Sequence, residues 1–241
     1  MKSIAWGITG AGAYLEESIE VIEEISKLGL KVTAFVSRAG EQVLEMYGLR
    51  SRLENTLRGE YPVGVVYESA EPPGYPATGR LYLGVYSAVV VSPATLNTVA
   101  KIIHGISDTL VTNLVAHSIK AGLPVYILPV DLYEVKSRVP LYVDRSKCNL
   151  CSECAVVPVC PTGAAKPHPY YKVVIDLRKC TRCFACTFMC PHNAIRFNVE
   201  IVVHPVPYYV EIIKKLEHMP RVRIIKHPSE ITSILVRSLR E

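Results

Sequence analysis

The 241-residue chain is predicted to be an α/β protein with a doubly wound parallel sheet, into which a smaller α+β domain is inserted. Three observations predict this fold. Apolar runs alternate with amphipathic helical segments over roughly the first 130 residues, all eight cysteines lie between Cys148 and Cys190, and the alternation resumes after Asn198. With 49% hydrophobic and 20% charged residues, the chain has enough apolar surface for a core, which excludes disorder.

The first part of the chain supplies a succession of βαβ units. Residues 4–9 are an apolar strand that ends in glycines, and the helix after it carries apolar residues at helical spacing until Gly29. The further predicted strands cover residues 31–36, 63–67, 88–91 and 125–128. Helical segments extend to about Leu57 and begin again near Thr95 and Asp108, and residues 71–79 form a loop rich in proline and glycine.

The tail predicts where the small domain belongs. Residues 222–225 form a predicted strand and residues 230–239 an amphipathic helix, so the α/β pattern continues after the cysteines. We therefore expect residues 1–142 to form the main domain of flavodoxin or Rossmann type, residues 143–199 to be an insertion, and residues 200–241 to complete the main domain.

The cysteines form two similar runs. They are Cys148-x2-Cys151-x2-Cys154-x5-Cys160-Pro161 and Cys180-x2-Cys183-x2-Cys186-x3-Cys190-Pro191. The second run has the spacing of bacterial ferredoxins, and the first repeats it with two extra residues before its last cysteine. In such ferredoxins the fourth cysteine of each run binds the other cluster. This predicts one 4Fe-4S cluster on Cys148, Cys151, Cys154 and Cys190, and a second on Cys180, Cys183, Cys186 and Cys160.

Zinc sites and a disulfide scaffold are the alternatives to iron-sulfur clusters. Either would use Cys-x2-Cys pairs, but neither accounts for a third cysteine at the same spacing followed by Cys-Pro, twice. The segment from Arg145 to Asn198 carries eight basic and two acidic residues, a local charge of +6. Thiolate-bound clusters are anionic, so this excess is expected to offset them, and no nucleic-acid partner is predicted.

A glycine turn follows the first predicted strand. Gly10, Ala11 and Gly12 lie where such folds hold phosphates or flavins, but the third glycine of a dinucleotide motif is missing. The second strand ends in Ser37-Arg38, which suits a phosphate better than the ribose of NAD. Tight packing of the glycines, with no ligand, is the alternative.

The loop after the 88–91 strand adds a more specific signal. Its sequence, Ser92-Pro-Ala-Thr-Leu-Asn-Thr98, resembles the Pro-Ala-Ser-Ala-Asn-Thr signature of the homo-oligomeric flavin-containing cysteine decarboxylase family. The resemblance covers residues 1 to about 130 and the tail, and it implies bound FMN and an oligomer built from trimers. The FMN contacts that it implies are Gly10, Ala11, Gly12, Ser37, Ser92, Thr95, Asn97 and Thr98.

The sequence departs from the decarboxylases in their catalytic parts. Gly79 stands near the position of the family's catalytic histidine, and the Met/Trp substrate clamp is missing, since Trp6 is the single tryptophan. An FMN domain with an inserted two-cluster ferredoxin instead resembles the archaeal group of dihydromethanopterin reductases (acceptor) and archaeoflavoproteins. That resemblance implies an oxidoreductase that passes electrons from a ferredoxin-like donor through the clusters to FMN, and then to a dihydropterin.

Two alternative functions stay open on the sequence. One is an electron-transfer flavoprotein without its own small-molecule substrate, and the other is an NADPH-linked flavin reductase that uses Ser37-Arg38. No run of about 18 apolar residues is present, so we expect no membrane span and a cytoplasmic protein. His104, His117 and Tyr14 are candidate proton donors, although helix capping, core packing and ring packing account for them equally simply.

Overall fold

The computed structural model describes residues 2–238, with side chains described through Arg237. Within these residues, six parallel strands form a central sheet in the order β10-β5-β4-β1-β2-β3. Its strands are β1 (Ser3–Ile8), β2 (Lys31–Val36), β3 (Gly64–Tyr67), β4 (Ala88–Ala94), β5 (Val125–Pro129) and β10 (Val222–Ile224). The predicted doubly wound α/β fold is confirmed, and the chain reverses its direction of winding between β1 and β4.

Helices cover both faces of the central sheet. The helices outside the cysteine segment are α1 (Leu15–Lys27), α2 (Arg38–Tyr47), α3 (Arg50–Thr56), α4 (Leu96–Ile103), α5 (Leu110–Lys120), α8 (Pro207–Lys214) and α9 (Ser229–Ser238). Alternate residues of β1 face opposite layers: Ile4 and Trp6 pack in the core that includes α1 and α9, whereas Ala5 packs in the core that includes α5. Both layers are apolar because a parallel sheet is buried on both faces.

The tail completes the central sheet, as predicted. Strand β10 pairs with β5, with Val222 opposite Val125 and Ile224 opposite Ile127. Helix α9 packs against α1 on one face. The predicted helix 230–239 is therefore present, but residue 239 lies outside the described residues.

The cysteine segment is carried on an antiparallel ribbon that the sequence pattern did not predict. Strand β6 (Val135–Val143) pairs with β9 (Ile195–Val203), and Val143 lies opposite Ile195 at its far end. Beyond the ribbon lie α6 (Arg145–Cys148), β7 (Ala165–His168), β8 (Lys172–Ile175) and α7 (Ala185–Met189). These elements form a small core of their own, which we call the cysteine module with the ribbon included. The predicted boundary at residue 199 falls inside β9.

In the described part of the chain, no helix combines the length and the apolar character that crossing a membrane requires.

Candidate flavin site and cysteine cavities

The eight cysteines are divided between two cavities in the cysteine module. The first cavity is lined by Cys148, Cys151, Cys154 and Cys190, and the second by Cys160, Cys180, Cys183 and Cys186. Each therefore takes three thiols from one run and the fourth from the other. The cavities enclose similar free space, about 350 and 330 Å³ including their openings to solvent. All eight cysteines lie in the described residues and are free thiols.

The two halves of the module repeat each other around these cavities. The Cys148 N–H donates to Asp144 O, and the Cys180 N–H donates to Asp176 O. The last cysteine of each run also accepts a backbone N–H at its sulfur: Ala165 N donates to Cys160 Sγ, and Ala194 N donates to Cys190 Sγ, both at 3.4 Å. Such N–H donors stabilise negative charge on a cluster sulfur.

The donor set fits a multi-iron cluster better than a single zinc ion. Zinc gathers four thiolates at about 2.3 Å from one point. Among residues 2–238, no three His, Cys, Asp or Glu side chains lie close enough together to hold a single metal ion, although four thiols surround each cavity. Sulfurs spread around a cavity suit a cubane, whose irons lie at separate corners.

Burial keeps several of these thiols protonated in the metal-free chain. Burial raises the pKa of Cys148 and raises that of Cys186 to about 11. At Cys160 burial acts in the same direction, but N–H and hydroxyl donors, Ala165 N among them, outweigh it and leave its pKa lowered. Metal binding to such a site must release protons, because the thiolate is the ligand.

The predicted flavin contacts lie at the carboxyl ends of three neighbouring strands. Gly10, Ala11 and Gly12 follow β1, Ser37 follows β2, and Thr95 follows β4. Because β4, β1 and β2 are adjacent, these residues share one edge of the sheet, next to the switch point between β1 and β4. This is the edge at which open α/β sheets bind ligands.

Two hydroxyls at this edge cap helices. Ser37 Oγ accepts the Gly40 N–H at 3.0 Å at the start of α2, and Thr95 Oγ1 accepts the Thr98 N–H at 3.3 Å at the start of α4. Thr98 is buried and its hydroxyl lies 3.1 Å from that of Thr95, whereas Asn97 is exposed. A capping hydroxyl that accepts an N–H can still donate its own proton to a phosphate oxygen.

Ser92 occupies a different environment from the other predicted contacts. It is fully buried, with its hydroxyl 2.8 Å from Ser18 Oγ and its carbonyl accepting the Trp6 indole N–H at 2.8 Å. Its hydroxyl and carbonyl thus bond inside the core, and in the proposed site it would position the loop rather than touch a ligand.

Thr9 is a residue of this edge that sequence reasoning missed. Its hydroxyl donates to Pro93 O at 2.8 Å and accepts the Thr95 N–H at 2.9 Å. It is buried, and it connects the glycine turn to the loop after β4. A threonine next to a glycine turn carries no local signal of this bond, because its partners lie more than 80 residues further along the chain.

The glycines leave room for protein atoms close to the turn. A Cβ at Gly10 would lie 2.7 Å from Ala39 Cβ, and one at Gly12 would lie 2.0 Å from Tyr47 Oη. A side chain at either position would therefore displace α2 or its Tyr47. The tight packing predicted as the alternative role of these glycines is present, and it also keeps the turn free of side chains where a flavin would approach.

The three candidate proton donors lie apart from one another. Tyr14 follows the glycine turn in a left-handed conformation (φ 60°), with its ring 5.5 Å from that of His227, and burial raises its pKa. His104 ends α4, and His117 lies half-buried on α5 with Nδ1 3.1 Å from Thr78 Oγ1. Of these, Tyr14 is next to the predicted flavin contacts in the chain.

A seam joins the cysteine module to the main domain. Tyr47, at the end of α2, donates its hydroxyl to Arg138 O of the ribbon at 2.6 Å, and its carbonyl accepts an N–H from the Arg182 guanidinium. Arg182 stands between Cys180 and Cys183. Sequence reasoning singled out neither residue, since such long-range contacts leave no local pattern.

Comparison with known proteins agrees with this two-part arrangement. The Flavoprotein family model matches residues 1–138, and the 4Fe-4S binding domain model matches residues 173–196. Dihydromethanopterin reductase (acceptor) of Methanosarcina mazei is 39% identical over 97% of this chain and 98% of its own. The reductase of the same name from Methanocaldococcus jannaschii is 42% identical over 95% of this chain and 93% of its own.

The chain belongs to the same family as these two reductases. It is an oxidoreductase, an iron-sulfur flavoprotein reductase with a flavoprotein domain and a 4Fe-4S domain. The family predicted from the motifs is thus confirmed. A solved structure of Burkholderia xenovorans DmrB with FMN, described as a cubic protein cage for redox transfer, matches 99% of this chain and 96% of its own with a TM-score of 0.64. At 23% identity it shows that the fold is shared.

Proposed function

We propose that this protein reduces the C=N bond of a dihydropterin, of the dihydromethanopterin kind, with electrons from a ferredoxin-like donor. The observation that carries the proposal is the union of two four-cysteine cavities and a flavoprotein domain in one chain. Clusters transfer one electron at a time, and flavins exchange either one or two, so the pair can turn single electrons into a hydride equivalent. The names of the two full-length relatives support the pterin as substrate.

Within this proposal each part of the chain has a separate role. The cysteines of the two cavities would hold two 4Fe-4S clusters, and the edge formed by Gly10, Gly12, Ser37 and Thr95 would bind FMN non-covalently. The hydroxyls of Ser37 and Thr95 would donate to the phosphate at the starts of α2 and α4. When bound, the flavin supplies the hydride chemistry, and Tyr14 is placed beside the turn from which a proton could be donated.

The structure offers little to the decarboxylase chemistry of the wider family. Trp6, the single tryptophan of the sequence, is fully buried in β1 with its indole N–H bonded to Ser92 O, so it cannot clamp a substrate. Gly79, near the position of the family's catalytic histidine, carries no side chain to act as an acid or base. Reduction is the chemistry that the remaining groups support.

The assembly and location also belong to the proposal. We infer a cytoplasmic homo-oligomer built from trimers, because the motif family assembles in this way. Large apolar side chains that are exposed in the single chain are available to such contacts, for example Leu83 (78% exposed) and Tyr208 (66% exposed).

The test begins with cofactor content. Anaerobically purified protein should contain about eight iron and eight sulfide per chain, as two cubanes require, and heat should release FMN. Zinc in place of iron, or FAD in place of FMN, would contradict this content.

The second step tests the substrate. Chemically reduced holoprotein, freed of excess reductant, should be reoxidised by dihydromethanopterin with formation of the tetrahydropterin. If only a partner protein reoxidises it, the protein is an electron-transfer flavoprotein without its own substrate. If NADPH reduces the flavin at a catalytic rate and cluster loss has no effect, it is an NADPH-linked flavin reductase.

A further inference from the structure

We propose that the cluster in the second cavity is the one that passes electrons to the flavin, and that Arg182 positions it there. The proposal rests on the flavin site and the two clusters proposed above. It adds an order to them: the first cavity faces the donor, and the second faces the flavin.

Arg182 lies in the turn between Cys180 and Cys183, two of the thiols that line the second cavity. Its guanidinium donates to Tyr47 O at the end of α2 and to Asn198 Oδ1 of the ribbon at 2.8 Å. A Cβ on Gly48 would lie 3.2 Å from Arg182 Cδ, so the arginine packs closely on the end of α2. One side chain thus connects the cysteine turn with the main domain.

Tyr47 continues this connection to the glycine turn. Its hydroxyl occupies the space where a side chain of Gly12 would lie, 2.0 Å from the position of its Cβ. The same hydroxyl bonds to Arg138 O of the ribbon, which holds the ring in place. A continuous set of contacts therefore runs from the Cys180–Cys183 turn through Arg182 and Tyr47 to the turn at which flavin is proposed to bind.

A third contact lies beside this path. Gln42 and Met46 of α2 line a groove together with residues 175–178 of the module. Ile175 lines both this groove and the second cavity. The second cavity is therefore bounded by residues that also touch α2, the helix that Ser37 caps.

The first cavity is arranged differently. In the described part of the chain, the hydrogen bonds of its lining residues stay within the module, such as Cys148 to Tyr171 O and Ala194 to Cys190 Sγ. Its lining includes Lys147 and Lys172. Two ammonium groups beside an opening to solvent favour approach by an acidic one-electron donor.

The electron balance follows from this order. Each donor protein is oxidised by one electron, which reduces the first cluster, then the second, and then the flavin, and each cluster returns to its oxidised state. Two such transfers together with one proton from solvent make up the hydride equivalent that the substrate receives.

The test compares serine variants of the two cavities by EPR. A paramagnetic reduced cluster speeds the spin relaxation of a nearby one-electron-reduced flavin, so the microwave power that half-saturates the flavin signal reports proximity. In Cys183→Ser this power should fall several-fold, whereas in Cys151→Ser it should stay at the wild-type value. The opposite result, or no change in either variant, would overturn the order proposed here.

Arg182→Ala tests the positioning role on its own. We expect unchanged iron and flavin content, a lower half-saturation power, and faster amide hydrogen exchange in residues 10–14 and 42–48. Arg178→Ala is the matched control, because Arg178 has the same charge in the same run but hydrogen-bonds only to Asp176 among the described residues. Equal effects of the two variants would remove the special role of Arg182. Wild-type protein without flavin would instead overturn the proposed function itself.

Discussion

Cys160 lies among the cysteines of the other run rather than with those that precede it in the chain. Its sulfur lines the second cavity with Cys180, Cys183 and Cys186, and it accepts the Ala165 N–H. The extra residues before Cys160 lengthen the excursion across the module without changing this destination. The grouping of thiols matches the crossing arrangement predicted from the spacing, and the ligation itself stays a prediction.

Replacing Cys160 by alanine should therefore damage the cluster of the second run. We expect Cys160→Ala to lose about four of the eight irons and to share its remaining EPR signal with Cys183→Ser. Cys154→Ser, the matched control from the same run as Cys160, should leave the other signal. If Cys160→Ala resembles Cys154→Ser instead, the crossing assignment is wrong.

At the scale of elements, the turn between β1 and α1 packs against α2 through missing side chains. Gly10 faces Ala39 so closely that a Cβ would lie 2.7 Å from the alanine methyl, and that methyl cannot rotate away. Gly10→Val should cost about 1–3 kcal/mol of the free energy of unfolding, the usual range for overpacking, and should also lower flavin content.

Gly79→Val serves as the control for this prediction. A Cβ at Gly79 meets nothing within 4 Å, and this glycine is not among those with positive φ. Thermal melts and flavin content should therefore stay close to wild type in Gly79→Val. A Gly10→Val protein as stable and as rich in flavin as Gly79→Val would show that the turn is not tightly packed.

The elements that sequence predicted best are those with a strong local pattern. Strand β2 spans residues 31–36 as predicted, because its apolar run is bounded by Gly29 and by the Ser37 cap. The ribbon was missed because β6 and β9 are only partly buried, so exposed Lys136, Glu200 and Ile201 obscure any apolar alternation. Helix α8 was also missed, since Pro207 and two exposed tyrosines precede its apolar residues.

The candidate site shows the same division. Ser37 and Thr95 were identifiable because a hydroxyl at the end of an apolar run caps the following helix. Thr9, Tyr47 and Arg182 were not, because each acts through a partner more than 80 residues away in the chain. Contacts that depend on the assembled fold have no periodicity to reveal them.

At the scale of the whole molecule, the cysteine module is a detour between two parts of one sheet. The chain leaves the main domain along β6 and returns along β9, and β10 then pairs with β5. Val143 and Ile195 face each other at the far end of the ribbon, which is where an antiparallel pair can be closed by a two-residue turn. The layout predicts that the main domain folds without the module.

Excision of residues 144–194, with Val143 and Ile195 joined by Asn-Gly, tests this prediction. We expect a cooperative thermal melt, FMN bound at one per chain and no iron, because Thr9, Pro93 and Thr95 hold the strand ends together within the main domain. Reduction by a one-electron donor protein should be lost, whereas chemical reduction of the flavin should remain. The same excised chain carrying Gly10→Val should bind less FMN, which would tie the flavin to the turn. If the excised chain folds but binds no flavin, the Arg182–Tyr47 seam is needed to shape the flavin site, and the two parts are not independent.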